Sequence, residues 1–346
     1  MSVNPTAKLK GGVSKTMEFS KDCIEIDPVA ESERIVTALR QNVFKVMRKQ
    51  GAVVGISGGV DSSVVLSLCV RAFGPQKVIA LILPDKDSSP ESERLAQKLA
   101  QGLGVTPVLE NVTAALEGFG CYRRRDEAIR RVFPEYDAAK GYKVKIVLPP
   151  NLLDEGGLNV FSVTIVTPDG KELSKRLAAR ELLQIVAASN FKQRTRTAFL
   201  YYYAELNNYA VMGTANKNEH DQGFFVKFGD SGIDIKVIGH LYKTQIYMLA
   251  RYLRVPEEIQ RRVPTSDTYS APCTQEEFFF RLPFETMDLL WWAMEQGVPL
   301  AEVAQVMGLT ERQVERAFRD FAAKQRTTDY LRLAPVGLGR ADRNVL

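Results

Sequence analysis

The stretch Gly55, Ile56, Ser57, Gly58, Gly59, Val60, Asp61, Ser62 and Ser63 gathers residue types suited to holding an anion. Its glycines let the backbone come close to a ligand, and the hydroxyls of Ser57, Ser62 and Ser63 add hydrogen-bond donors. A helix that begins just after the glycines aims its unpaired N–H groups and the positive end of its dipole into the same space. Phosphate or pyrophosphate is the natural occupant. Asp61 then places a carboxylate beside those phosphates, an arrangement that favours Mg2+ as the bridge. No lysine follows the glycines as it would in a Walker A loop, and the spacing is not G-x-G-x-x-G, so neither the P-loop nor the dinucleotide-binding reading applies.

The surrounding elements must put this stretch at a strand-to-helix junction. Residues 31–49 carry Ile35, Leu39, Val43 and Val46 at helical spacing, and Gly51 turns the chain into the apolar run 52–56, which reads as a buried strand. A helix from Ser62 to Phe73 follows, closed by Gly74 and Pro75, and residues 77–83 read as the next strand. Ser89 and Pro90 supply the cap and first position of a helix reaching Leu103, and residues 106–112 give a third strand. Residues 181–208 are helical, 209–212 form a short buried strand, and the chain after about Tyr242 reads mainly as helices. Strands alternating with helices predict an α/β fold, a doubly wound parallel sheet with its ligands at the strand C-terminal ends. Between about 133 and 180 the pattern changes to β-rich runs with a Pro-Asp-Gly turn, which reads as an insertion. The expected organisation is a flexible basic tail and lead-in over 1–30, an α/β unit over 31–270 that contains the insertion, and a helical region over 271–346.

Composition narrows the function classes. A chain of 346 residues with 45% apolar and 25% charged residues is ordinary globular material, and a net charge of +5 suits anionic small molecules as well as nucleic acid. Cys23, Cys69, Cys121 and Cys273 lie far apart without zinc-ligand spacing, so they read as reduced thiols of a cytoplasmic protein. No signal-peptide core or membrane-spanning run is visible in the sequence. Residues 299–321 show a helix, a Gly308 turn and a second helix, a helix-turn-helix pattern. Their acidic residues Glu311, Glu315 and Asp320 argue for packing or dimerisation over DNA binding. Trp291, Trp292 and the run 278–280 of phenylalanines read as core or subunit interface rather than a stacking platform. His220 and His240 are too isolated to argue for a metal site.

Further motifs identify a relationship. The loop resembles the pyrophosphate loop of N-type ATP pyrophosphatases, which split ATP between its α and β phosphates. Asn190-Phe-Lys192-Gln-Arg194-Thr-Arg196, Gly213-Thr214-Ala-Asn216-Lys217-Asn-Glu219 and Gly223 through Asp234, with Lys243, Pro264 and Thr265, follow the order and spacing of ammonia-dependent NAD synthetases. The resemblance implies ATP contacts from Gly55 through Ser63 and from Thr214, Lys243 and Thr265, with Mg2+ held by Asp61 and Glu219. It places Arg194, Lys227 and Asp234 against deamido-NAD, and gives catalytic roles to Asp61 and Lys243. It also implies two displacements. A substrate carboxylate attacks the α-phosphorus and releases pyrophosphate, and ammonia then expels AMP from the acyl-adenylate. Asp230 is the candidate to take a proton from ammonium. A homodimer is expected, and ammonia is expected from solution or from a separate glutaminase chain.

The sequence departs from the family after Thr265. Where relatives carry an acidic pair and later a His-Lys-Arg, this chain has residues 274–281 and Ala323-Lys324-Gln325-Arg326, so Lys324 and Arg326 are left to fill the basic roles and the histidine is absent. The same ATP chemistry on another carboxylic acid is therefore the alternative reading.

Overall fold

Among the described residues, eight strands form where short apolar or alternating runs are bounded by turn residues: β1 Ala52–Gly55, β2 Val78–Ile82, β3 Val108–Leu109, β4 Lys143–Val147, β5 Ser162–Val166, β6 Glu172–Arg176, β7 Ala210–Gly213 and β8 Ile235–Lys236. These come from a computed structural model that describes residues 18–149, 151–153, 160–266 and 268–337. Five strands make a parallel sheet in the order β3-β2-β1-β7-β8. From β1 the chain builds outward through β2 and β3, then returns to place β7 on the other side of β1. The sheet therefore reverses its winding between β1 and β7, and both strands end at the same edge, at Gly55 and Gly213. A crevice at such a reversal is where open α/β sheets hold ligands.

Helix Val60–Phe73 buries Val64, Val65, Leu68 and Cys69 against this sheet, and Gly74 ends it with φ 79°. The preceding helix, Pro28–Arg40, buries Ile35 and Leu39, and Val43 follows them into the core. Val46, expected on the same face, is 66% exposed. Residues Gln41–Val46 wind as a π-helix, and its wider turn rotates the last positions off the buried stripe. The third strand is shorter than expected. Strand β8 carries too few residues for periodicity to reveal it.

The β-rich insertion folds as a separate antiparallel sheet, β4-β5-β6, with its turn at Gly170. Val144, Ile146, Val163 and Ile165 share one buried face, packed on helix Cys121–Val132 and on Tyr269. The 29-residue helix Ala179–Asn207 then carries the chain back to β7.

Residues 1–17 of the expected tail lie outside the described residues. Phe19, assigned to that tail, is instead buried: its ring stacks on Trp292 at 6.0 Å and its N–H donates to Glu302 at 3.0 Å. The pair read as a possible DNA-binding motif, Leu300–Met307 and Glu311–Arg332, packs inward. Val303, Val314, Ala317 and Phe321 are buried, and Phe321 meets Trp291 edge to face at 5.1 Å. No helix among the described residues is long and apolar enough to cross a membrane.

Candidate active site

At the end of β1, Ile56 is still tied to the sheet, its N–H donating to Leu81 at 2.8 Å, and the chain then turns into helix Val60–Phe73 with Gly59 as cap. The loop is knit by its own hydroxyls: Ser57 N–H donates to Ser62 Oγ at 3.2 Å, and Gly59 N–H to Ser57 Oγ at 3.3 Å. Gly55, Ile56, Ser57, Gly59, Val60, Asp61 and Ser62 line a cavity of about 880 Å³, and Thr214, Glu219, Lys243 and Thr265 line its other walls.

Gly58 and Ser63 support the loop from behind. Ser63 Oγ donates to Gly59 O at 2.7 Å and is fully buried, so its hydroxyl is committed to the helix. Gly58 sits at φ 72°, and a Cβ there would collide with the Ser92 carbonyl oxygen and approach Leu95 Cβ at 3.2 Å. Its need for glycine thus comes from helix Pro90–Gly102 packing on the loop, beyond any ligand's approach. Gly58→Ala should displace the loop and cost ~1–3 kcal/mol of backbone strain. A lowered denaturation midpoint accompanied by weakened ATP binding is the expected result, and unchanged ATP affinity would contradict it.

Asp61 is the hub of the charged groups. Its carboxylate pairs with Lys243, the first residue of helix Lys243–Tyr252, and its other oxygen accepts from Asn216 Nδ2 at 2.9 Å. Asn216 caps the helix Lys217–Gln222, accepting from Glu219 N–H at 3.1 Å, while Glu219 accepts from Asn216 N–H at 3.0 Å. That capping box brings Glu219 to the cavity, where Gln275 Nε2 also donates to it at 3.1 Å. Burial, and then the Asp61 charge, push the Glu219 carboxyl well above its usual range, against the pull of Lys243. Burial would lower the Lys243 ammonium, but Asp61 and Glu219 outweigh it and raise it. Two carboxylates that repel one another across a shared space fit a divalent cation. Among the described residues no third acidic, histidine or cysteine side chain joins them in a metal-ligating group.

Asp230 also lines the cavity, crowded by protein yet open to that space. Burial lifts its carboxyl to about 6 against the N–H bonds of the turn, among them Val226 N–H at 2.6 Å. Arg194 lines the cavity, with its Nε donating to Lys227 O at 3.3 Å. Lys227 lies on the same wall, but its ammonium donates to the Tyr330 and Leu333 carbonyls at 2.7 and 2.9 Å. Asp234 and Lys324 are not brought to this cavity. Asp234 accepts from Tyr201 OH at 3.0 Å and from Val211 N–H at 2.8 Å, which ties it to β7. Lys324 is buried between Asp320, at 2.7 Å, and the Phe279 carbonyl, at 3.0 Å.

Three features escaped the sequence reading. Phe278 and Phe279 are on the cavity wall beside Phe161, Phe224 and Tyr269, with Phe278 meeting Phe224 at 5.5 Å and Tyr269 at 5.7 Å. Only Phe280 is fully buried. Fully buried Asp288 accepts from Thr244 N–H and Oγ1, both at 2.8 Å, and from Asn218, so one carboxylate joins the helices bearing Lys243 and Glu219. Lys192, from the Asn190–Arg196 motif, turns inward to Asp85 at 3.0 Å and Asp87 at 2.8 Å, and Arg196 reaches Asp85 at 2.8 Å from the cavity wall. Only the motif spacing hinted at this last group, and no local pattern marks Asp288.

A family model described as NAD synthase matches residues 31–129 and 151–327. The chain is 48% identical over 313 residues to an NH(3)-dependent NAD(+) synthetase of Mesorhizobium japonicum, covering 90% of this chain and 97% of that one. It is 47% identical over 317 residues to the protein of the same name from Rhizobium meliloti, covering 92% and 94%. Its fold is similar to a solved NH3-dependent NAD synthetase of Campylobacter jejuni, with TM-score 0.58, 21% identity and coverage of 91% and 100%. It is also similar to an NMN synthetase of Francisella tularensis, with TM-score 0.56, 22% identity and coverage of 90% and 99%.

Proposed function

The chain belongs to the NAD synthase family, and from that premise we propose that it converts deamido-NAD, ATP and ammonia to NAD, AMP and pyrophosphate. The observation that carries the reading is the Asp61, Lys243 and Glu219 constellation facing the glycine loop, at the crevice where the sheet reverses. In this reading the loop N–H groups and Ser57 and Ser62 hold the ATP phosphates, with Thr214 and Thr265 on the nucleotide's other sides. Lys243 faces the charge that develops on the departing pyrophosphate, where a preorganised cation lowers the barrier. Asp61 and Glu219 would hold Mg2+, which neutralises phosphate charge when bound. The substrate carboxylate attacks the α-phosphorus, and no protein nucleophile is required. Arg194 supplies a cation for the dinucleotide phosphates, and Lys227 could do so only by leaving its two carbonyls. Asp230 takes the proton released when ammonia attacks the acyl carbon.

The aromatic wall is suited to a flat heteroaromatic ring, and its members come from the insertion side, through Phe161, and from the divergent stretch, through Phe278 and Phe279. Phe278→Ala should raise the KM for deamido-NAD about tenfold and leave the KM for ATP unchanged. Equal rises in both would remove the wall from substrate recognition. The exposed Leu183, Tyr202 and Leu206 along helix Ala179–Asn207 support a homodimer as the working assembly.

Incubation of the purified chain with ATP, Mg2+, ammonium and deamido-NAD tests the reading. NAD, AMP and pyrophosphate should appear in equal amounts. Binding of ATP with no NAD formed would redirect the assignment to another carboxylic acid.

A further inference from the structure

Two cavities meet at Asp230. Beside the large one lies a second of about 230 Å³, bounded by His220, Phe225, Lys236 and the segment 331–335. Ala215, Phe225, Lys227, Phe228, Asp230 and Leu331 line both, so the two cavities share this short wall. Phe228 stands in it at φ 60° and 63% exposed, held by the Ser231 hydroxyl, which accepts its N–H at 3.0 Å. Lys227 fixes the segment that roofs the small cavity through the Tyr330 and Leu333 carbonyls, and Arg332 does so by donating to His220 O at 3.0 Å and Asp221 O at 3.2 Å. On the opposite rim Lys236 Nζ lies 2.6 Å from His220 Nε2, whose ring stacks on Phe225 at 5.7 Å.

This arrangement addresses a problem of access that follows from the ligase reading, on which the inference rests. In that reading the acyl-adenylate forms in the large cavity between the glycine loop and the aromatic wall, and once formed it closes the direct way from solvent to the acyl carbon. Ammonia must still arrive. We propose that the small cavity is the port for ammonia, delivering it past Phe228 to the Asp230 side of the adenylate. Its lining carries the three cations Lys227, Lys236 and Arg332 against the single carboxylate of Asp230 at its inner end, so its field disfavours entry of ammonium and passes the neutral molecule. The nitrogen lone pair forms the C–N bond, the C–O bond to AMP breaks with its electrons leaving on the AMP phosphate, and one nitrogen proton passes to Asp230 and then to water in the small cavity.

Two variants that fill the port test this in the full-length chain: Ala334→Trp and Lys236→Trp, both at exposed rim positions. Each should raise the KM for ammonium about tenfold and leave the KM for ATP and for deamido-NAD unchanged. The exchange of labelled pyrophosphate into ATP, driven by deamido-NAD without ammonium, should run at the wild-type rate, because adenylation does not use the port. An ammonium KM at the wild-type value in both variants, or an equal rise in all three KM values, would overturn the port. Absence of pyrophosphate exchange in the wild type would instead count against the ligase reading itself.

Discussion

Asp61→Asn slows pyrophosphate release by about a thousandfold, and raising the Mg2+ concentration restores little of the loss. The side chain keeps its shape, and an amide oxygen can still accept from Asn216, so the loop and the cap of helix Lys217–Gln222 stay in place. The charge that holds Lys243 and would help hold the metal is lost. Removal of a buried partner usually leaves an uncompensated ion. Here Glu219 lies close by: after burial, the Asp61 charge is the next cause that keeps its carboxyl raised, so neutralising Asp61 shifts Glu219 toward its ionised form, whose charge favours the Lys243 ammonium. Activity should therefore fall far more than stability. A Mg2+ titration of pyrophosphate release, run beside a thermal melt, separates the two, and a variant retaining a tenth or more of the wild-type rate would exclude a direct role for Asp61.

The second large effect falls on stability. Lys192 is fully buried with Asp85 and Asp87 as partners, and Arg125, 2% exposed, shares Asp87 at 2.5 Å. Lys192→Met should cost ~3–5 kcal/mol at neutral pH, because two buried carboxylates lose a cation they both contact. Burial would raise the Asp87 carboxyl, but Lys192 and Arg125 outweigh it and hold it below the usual carboxylate range. A depressed carboxyl contributes stability above its unfolded pKa, and that contribution is lost as pH falls through the folded value. The gap between wild type and variant should thus be widest near neutrality and shrink in acid. Urea denaturation at several pH values reads this directly, and a pH-independent gap would show that the loss comes from packing rather than charge. Because Asp85 also anchors Arg196 on the cavity wall, the variant should bind substrate less well even where it remains folded.

The parts of this protein that were legible in its sequence are those written in short range. The loop Gly55 to Ser63 announces itself because glycines, hydroxyls and a helix start occupy adjacent positions, and strands β1, β2 and β7 because buried parallel strands are short apolar runs. Asp288 and Gln275 reach the site only through packing of the C-terminal helices, 70 positions from Asn218 in one case and 56 from Glu219 in the other, and no local spacing reports such contacts. Val46 failed because periodicity assumes 3.6 residues per turn, which a π-helical segment does not keep. Phe278 and Phe279 were read as core or subunit interface because aromatic runs usually are, yet the left-handed Arg281, at φ 64°, ends their short helix, and two of the three rings face the cavity. Lys324, given a basic role by its position in the chain, is instead found paired with Asp320 away from the cavity lining, a placement that no local spacing reports.

The most direct measurement uses deamido-NAD labelled with heavy oxygen in its carboxylate, turned over with ATP, Mg2+ and ammonium. Attack of that carboxylate on the α-phosphorus, followed by ammonia at the acyl carbon, must leave one labelled oxygen in AMP and none in pyrophosphate. Unlabelled AMP formed alongside NAD would contradict the acyl-adenylate, and with it the roles given to the loop, Lys243 and Asp61.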